Sequence, residues 1–385
     1  MTRIYLDHAS TSVLRPEAHR ATSDHLDAMA SGRLGDPARI HAEGMASRTI
    51  LEDARTRIAS WLGVRPRQIV FTSGATESIT AAHHGARARA ASSGREGVVL
   101  TAVEHSSVTR NSLLCPHRIV PVDASGRVTP DDVVRAVDAA TALVHIQWAN
   151  HESGVTQPVH ETIRALRDSA GDDEGAPLVH VDAAQAGTQA PDAVAAGADL
   201  VSISGLKLGG TAGRWRPRDP PQPQNSPLLP GGDQERARRA GMENIAAVVG
   251  LAAVADHLAT HGAAETEHMR SLAGRIIRWA DGADGIALLG DRVHRAPHLV
   301  CLQLEGLEPQ PVLLRLDQAG IAVHSGSSCS SEAFEPSPVL AAIGVDAQRS
   351  LRISVGWSTS DGDVDAAVSA LDTAVRELRG AGEPT

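Results

Sequence analysis

DLVSISGLKLGG, residues 199–210, reads as a buried strand that breaks into a glycine-bounded loop around one lysine, Lys207. The near-continuous apolar run within Asp199–Ser204 suits a strand covered on both faces of a sheet. Just upstream, LVHVDAAQAG (178–187) repeats the form, with a strand over Leu178–Asp182 ending in a carboxylate. Further strands are expected at Gln68–Thr72, Gly97–Ala102, Arg118–Val122 and Ala142–Trp148. Helical patterns separate them. One is Leu51–Leu62, with Leu51, Ala54, Ile58 and Leu62 on one face. Another is Pro130–Ala139, with Thr129 as N-cap, Pro130 in first place and Asp131 and Asp132 in the first turn. The alternation predicts an α/β fold whose large domain is a mostly parallel sheet flanked by helices.

A chain of 385 residues exceeds one ordinary core, so two domains are expected. Beyond about residue 257 helices surround only a few strands, at Leu299–Leu304, Ala322–His324 and Arg352–Val355, and a last helix runs over Asp361–Leu378. The reading is a large domain at 15–256 and a smaller α/β domain formed by 1–14 and 257–385. RWRPRDPPQPQNSPLLPGG, residues 214–232, holds six prolines and is expected to be an exposed loop, because proline cannot donate to a sheet ladder.

With 36 basic against 46 acidic residues the net charge is −10, which argues against direct nucleic-acid binding. No apolar run approaches the ~20 residues of a membrane helix, and MTRIYLDHAST (1–11) lacks a signal peptide's apolar stretch. A cytoplasmic protein with no membrane contact is the expectation. Three separated cysteines make neither a disulfide framework nor a zinc site, and no metal site is expected. Cys115 and Cys301 sit among apolar residues and read as core, whereas Cys329 lies in the polar loop HSGSSCSSEAF, where a thiol is exposed and open to reaction.

Three motifs carry chemistry. FTSGATES (71–78) is a strand, a glycine turn and a helix opening near Glu77, a place where backbone N–H groups receive phosphate; an ordinary strand–turn–helix has the same form. Asp182 ends its strand at the edge where open α/β sheets bind ligands, and a carboxylate there can keep a pyridine nitrogen protonated; a helix N-cap aspartate reads alike. Lys207 follows a strand to the same edge and can carry pyridoxal phosphate on its amine; the bland alternative is a solvated loop lysine. Phosphate cradle, strand-end Asp and strand-end Lys occur in the order that a pyridoxal phosphate site on a parallel sheet needs.

Here the chain resembles the cysteine desulfurases, in the class V aminotransferase group of fold-type I pyridoxal phosphate enzymes. The matching segments run nearly end to end: YLDHAST (5–11), DPARIHAEG (36–44), FTSGATES (71–78), VEHSSV (103–108), ANHESGVTQP (149–158), HVDAAQ (180–185), SGLKLGG (204–210), GGDQERARRAGMEN (231–244), SGSSCSSEAFEPSPVL (325–340) and LRISVG (351–356). The resemblance implies that Lys207 holds the cofactor and moves the Cα proton, and that His105 stacks on the ring and aids proton transfer. Asp182 pairs with the ring nitrogen, and Gln185 bonds the ring hydroxyl. Ala75, Thr76 and Ser204 hold the phosphate. Asn150, His151 and Arg352 meet the substrate, Arg352 by binding the substrate's carboxylate, and His151 also stands where the family's residue meets the cofactor's ring hydroxyl. Cys329 takes the sulfur of L-cysteine as a persulfide, giving L-alanine, and passes it to an acceptor protein. A homodimer is implied.

Three departures stand out. Leu206 replaces the family's histidine before the lysine, Met242 replaces a threonine that reaches the neighbouring subunit's phosphate, and His151 replaces an asparagine. Two lost phosphate contacts predict looser cofactor retention. Two other readings use the same residues: a carbon–sulfur lyase that works without Cys329, and a weakly active scaffold.

Overall fold

The computed structural model describes residues 3–171, 176–210, 213–217, 226–326 and 337–380. Its strands in chain order are β1 (Ile4–Tyr5), β2 (Val70–Thr72), β3 (Gly97–Thr101), β4 (His117–Val120), β5 (Thr141–Gln147), β6 (Leu178–Asp182), β7 (Leu200–Ser204), β8 (Gly213–Pro217), β9 (Ile286–Leu288), β10 (Leu299–Leu304), β11 (Ile321–Ala322), β12 (His324–Ser325) and β13 (Ser350–Ser354). Seven form one sheet in the order β2-β8-β7-β6-β5-β3-β4. Strands β4, β3, β5, β6 and β7 run parallel to one another, as their apolar runs predict; all seven residues of β5 are buried.

β8 corrects the expectation of a loop. It lies inside the sheet, antiparallel to both β2 and β7, and takes in the first four residues of the proline-rich stretch. Pro217 is the last residue of the strand, so the missing N–H falls at the end of the ladder, and the other prolines come after it.

Helices cover the sheet. Thr129 caps the helix Pro130–Ala136 as expected, accepting from Asp132 N at 3.2 Å; the helix stops at Ala136, where Asp138 and Thr141 bond each other instead. The helix with Leu51, Ala54 and Ile58 buried begins earlier than periodicity suggested, at Ala42, because His41 Nδ1 accepts from Gly44 N at 3.2 Å.

Two cores result. One joins Val144, Val181, Val201 and Ile58 under the large sheet. The other joins Leu6, Val300, Leu351, Val364 and Leu371 around the four-stranded sheet β12-β13-β10-β9 and the helix Asp361–Gly380. The helix Ile245–Gly282 serves both: Ile245 to Leu258 pack into the first core, Met269 to Ala280 into the second. By length and composition this helix is apolar enough to cross a membrane, which amends the reading that no such segment exists; 56% of its apolar window is buried inside the protein. The N-terminal segment crosses between the two units. Leu6 sits in the small core, while Arg15 reaches back to the lysine loop, donating from Nε to the Leu208 carbonyl at 2.7 Å.

Candidate active site

Four strand ends of the large sheet converge on a cavity of about 550 Å³. β2 ends at Thr72, and the chain turns through Ser73 and Gly74 into the helix Ala75–Ala90, two residues before the expected Glu77. Glu77 fastens that turn: its carboxylate accepts from Ser73 N at 2.8 Å and from Arg239 Nε at 2.8 Å. The first-turn N–H groups of a helix have no partner within it, and a Cβ on Gly74 would meet nothing within 4 Å, so this end opens into free space. Gly74, Ala75, Thr76 and Ser204 line the cavity there.

Asp182, at the end of β6, is buried in the floor and accepts from Ala184 N at 3.0 Å. Gln147 on β5 stands opposite it in register. After β7 the chain makes a single short turn, Gly205–Leu208, that presents Lys207 to the cavity. Gly209 closes that turn at φ +76°, where a Cβ would also strike Arg15 and the Val13 carbonyl at 2.8 Å; only glycine fits. Lys207 Nζ donates to the carbonyls of Ala9 and Ser10. Gln185 Nε2 donates to the same Ala9 carbonyl at 2.9 Å.

The opposite wall carries two imidazoles. His105 caps the helix Ser106–Ser112, its Nδ1 accepting from Ser107 N at 3.1 Å. The ring of His151 meets it edge-on, with centroids 4.9 Å apart. Glu152 lies 3.5 Å from His151 Nε2 and accepts a hydrogen bond from Ser337 Oγ. Arg352, on β13 of the four-stranded sheet, is 1% exposed and closes the cavity: its guanidinium donates to the His151 carbonyl at 2.9 Å, Asp7 at 2.9 Å and Ser10 Oγ at 2.6 Å.

Ala75, Thr76, His105, His151, Asp182, Gln185, Ser204, Lys207 and Arg352 therefore line one space. Asn150, expected at the substrate, is not among the residues that line it. Its Nδ2 donates to the Val103 carbonyl at 2.9 Å, and its Oδ1 accepts from Glu152 N, Ser153 N and Ser153 Oγ, so the side chain is spent on folding its own turn. Leu206 lines the cavity and is half exposed, while Met242 lines a separate cavity of about 610 Å³ beside Arg55 and Glu235. Cys329 lies outside the described residues.

Sequence reasoning missed the layer beneath. Glu104 is fully buried, and its Oε1 accepts from Thr101 Oγ1 at 2.8 Å and Gln147 N at 2.9 Å, while Oε2 has no partner among the described residues. Burial, aided by the charge of Asp182, pushes its carboxyl up to about 8. A glutamate beside a histidine in VEHSSV gives no sign of this; only its enclosure does. One pleat below Gln147, Asp182 and Ser204 stand His145, His180 and Ser202. They form a buried chain. His83 Nδ1 meets His145 Nε2 at 3.1 Å, His145 Nδ1 meets His180 Nδ1 at 2.9 Å, and His180 Nε2 meets Ser202 Oγ at 2.9 Å. Burial holds His83 down at about 4 and His180 at about 3.

Comparison with known proteins gives the family. The family model for aminotransferase class-V matches residues 4–367. "Cysteine desulfurase IscS" of Dictyoglomus turgidum is 32% identical over 98% of this chain and 95% of its own length. "Putative cysteine desulfurase IscS 1" of Bacillus subtilis is 33% identical over 98% of this chain and 100% of its own. The chain belongs to the cysteine desulfurases of the aminotransferase class-V family. Among solved structures, a NifS-like protein superposes with a TM-score of 0.86 at 26% identity, over 98% of this chain and 100% of that one. DndA from Streptomyces lividans superposes at 0.74 and 26% identity, over 89% of this chain and 96% of that one. The α/β architecture with its mostly parallel sheet is thus the one the resemblance implied.

Proposed function

We propose that this cysteine desulfurase binds pyridoxal phosphate at Lys207, takes sulfur from L-cysteine, releases L-alanine and leaves a persulfide on Cys329. The observation that carries this is the gathering of Lys207, Asp182, His105, Gln185 and Arg352 around one cavity whose far end is a helix N-terminus open to phosphate. The residues fit the cofactor: an anion cradle, a buried carboxylate for a ring nitrogen, an amide for a ring oxygen and an amine for its aldehyde.

Once bound, the cofactor supplies an electron sink for the Cα carbanion. The protein does the rest. Arg352 orients the substrate through its carboxylate, for which a planar two-pronged donor suits. Lys207, released from the Ala9 and Ser10 carbonyls, moves the Cα proton, and His105 limits the ring's motion and shares in proton transfer. The Cβ–S bond then breaks with its electron pair left on carbon, which a proton neutralises. The sulfur forms an S–S bond with the Cys329 thiolate. A sulfur-acceptor protein takes it from there.

A homodimer belongs to this reading, since Ile40, Met45 and Met242 hold large apolar side chains in solvent that association would cover. A cytoplasmic setting suits it too, because a reducing compartment keeps Cys329 free. The test is alanine formed from cysteine by the wild type, Lys207→Ala and Cys329→Ser. Loss of alanine in both variants supports the proposal. Unchanged turnover in Cys329→Ser overturns it in favour of a lyase.

A further inference from the structure

His298 stands outside the cavity, immediately before β10, and its backbone is tied to the end of β13 by Val355 N donating to its carbonyl at 2.9 Å. It is a small-domain residue touching a large-domain one: its Nε2 lies 3.2 Å from Gln185 Oε1. The direction of this bond follows from the other end of the amide. Gln185 faces the Ala9 carbonyl at 2.9 Å, and a backbone carbonyl only accepts. The atom facing Ala9 is therefore the NH2 group, the atom facing His298 is the oxygen, and His298 must donate. Burial, with His8, Lys207 and Arg352 around it, holds the imidazole down at about 4, so at neutral pH it carries one proton, placed on Nε2.

Gln185 has two N–H donors and one oxygen. With the oxygen turned to His298 and one N–H given to Ala9, the cavity receives the remaining N–H. Without His298 nothing among the described contacts distinguishes the two ends of the amide except Ala9, which Lys207 Nζ also uses.

We propose that His298 is a positioning residue for the cofactor: its Nε2–H clamps Gln185 so that the amide offers an N–H, and not its carbonyl, to the ring oxygen of bound pyridoxal phosphate. This rests on the pyridoxal phosphate reading above. His298 touches the cofactor only through Gln185, and it ties the clamp to β10 and β13, so the small domain helps to set the floor of the large one.

The experiment uses the full chain stripped of cofactor and titrated with pyridoxal phosphate, as wild type, His298→Leu and His298→Asn. Leucine removes the donor, whereas asparagine keeps an N–H at that place. Binding is read from the visible absorbance of the bound cofactor, with the position of the band as a second readout. His298→Leu is expected to weaken binding about tenfold and to shift the band, the scale of one hydrogen bond lost. His298→Asn is expected to recover most of both. Equal binding and equal bands in wild type and His298→Leu overturn the clamp, as does His298→Asn behaving like His298→Leu. Where leucine prevents folding, the 15N spectrum of histidine-labelled wild type decides. His298, assigned by its absence in His298→Asn, should be neutral and protonated on Nε2 at pH 7, and a proton on Nδ1 overturns the clamp. Failure of the wild type to bind pyridoxal phosphate overturns both this inference and the cofactor reading. Normal binding with indifferent variants overturns this one alone.

Discussion

Replacing Glu104 by Gln should shift relative stability towards the variant increasingly as pH rises. Burial, then the nearby charge of Asp182, raises the Glu104 carboxyl to about 8, against 4.5 for a free one. A folded-state value above the unfolded one means that the folded protein holds a proton which the unfolded chain releases. Its stability therefore falls as pH climbs from 4.5 towards 8 and is flat beyond. The penalty amounts to about 1 kcal/mol at pH 5 and about 3 kcal/mol at pH 7. Glutamine is the uncharged isostere. Its oxygen can keep the bonds from Thr101 Oγ1 and Gln147 N, and it has nothing to titrate. The advantage of Glu104→Gln over wild type should thus grow by about 2 kcal/mol between pH 5 and pH 7. For a chain of this length that is a widening of the gap in Tm by roughly 2 to 3 °C. Thermal unfolding followed by circular dichroism at half-unit pH steps, both proteins side by side, reads it directly. Parallel curves would refute the reasoning, because they require Glu104 to titrate in the folded protein as it does in the unfolded chain.

The histidine chain makes the opposite prediction on acidification. The folded imidazoles of His83 and His180 are held at about 4 and about 3, so below pH 6.5 the unfolded chain takes protons that they refuse and stability drops as pH falls; histidine NMR at pH 5 should show both still neutral. His145→Leu removes the middle of the chain and strands a nitrogen on each neighbour, at a cost of about 2 to 6 kcal/mol, read by urea denaturation at pH 8. Glu235 is enclosed with Arg55 at 2.6 Å and also accepts from Phe71 N, so Glu235→Gln leaves the buried guanidinium with only the half-exposed Glu52 as counter-charge and should cost about 1 to 3 kcal/mol, read by urea denaturation. Leu206→His restores a donor at the cavity's edge; if that edge holds phosphate, pyridoxal phosphate should be retained at least tenfold more tightly on dialysis, while unchanged retention counts against the phosphate site.

How far the sequence reaches can be judged from particular residues. The strands β5, β6 and β7 were legible because a strand buried on both faces is mostly apolar, and ALVHIQ, LVHVD and LVSIS are near-continuous apolar runs. Lys207 and Asp182 were legible for the same reason: a polar residue ending such a run can only stand at the sheet's edge. The proline-rich segment misled, because the rule against proline in a ladder says nothing about the residues before the first proline, and Gly213–Arg216 pair within the sheet. The hydrogen bonds that Asn150 makes within its own turn could not be read from the sequence either, because its place there came from the resemblance alone. The proton on Glu104, the His83–His145–His180 chain and the clamp of His298 on Gln185 belong to tertiary structure alone. Each joins residues far apart in sequence, and each depends on the loss of water around them, a quantity no local pattern encodes. Sequence alone determined the parallel strands of the sheet, their chemical edge and the family; tertiary structure added β8, and enclosure decided which groups carry protons and which way they point.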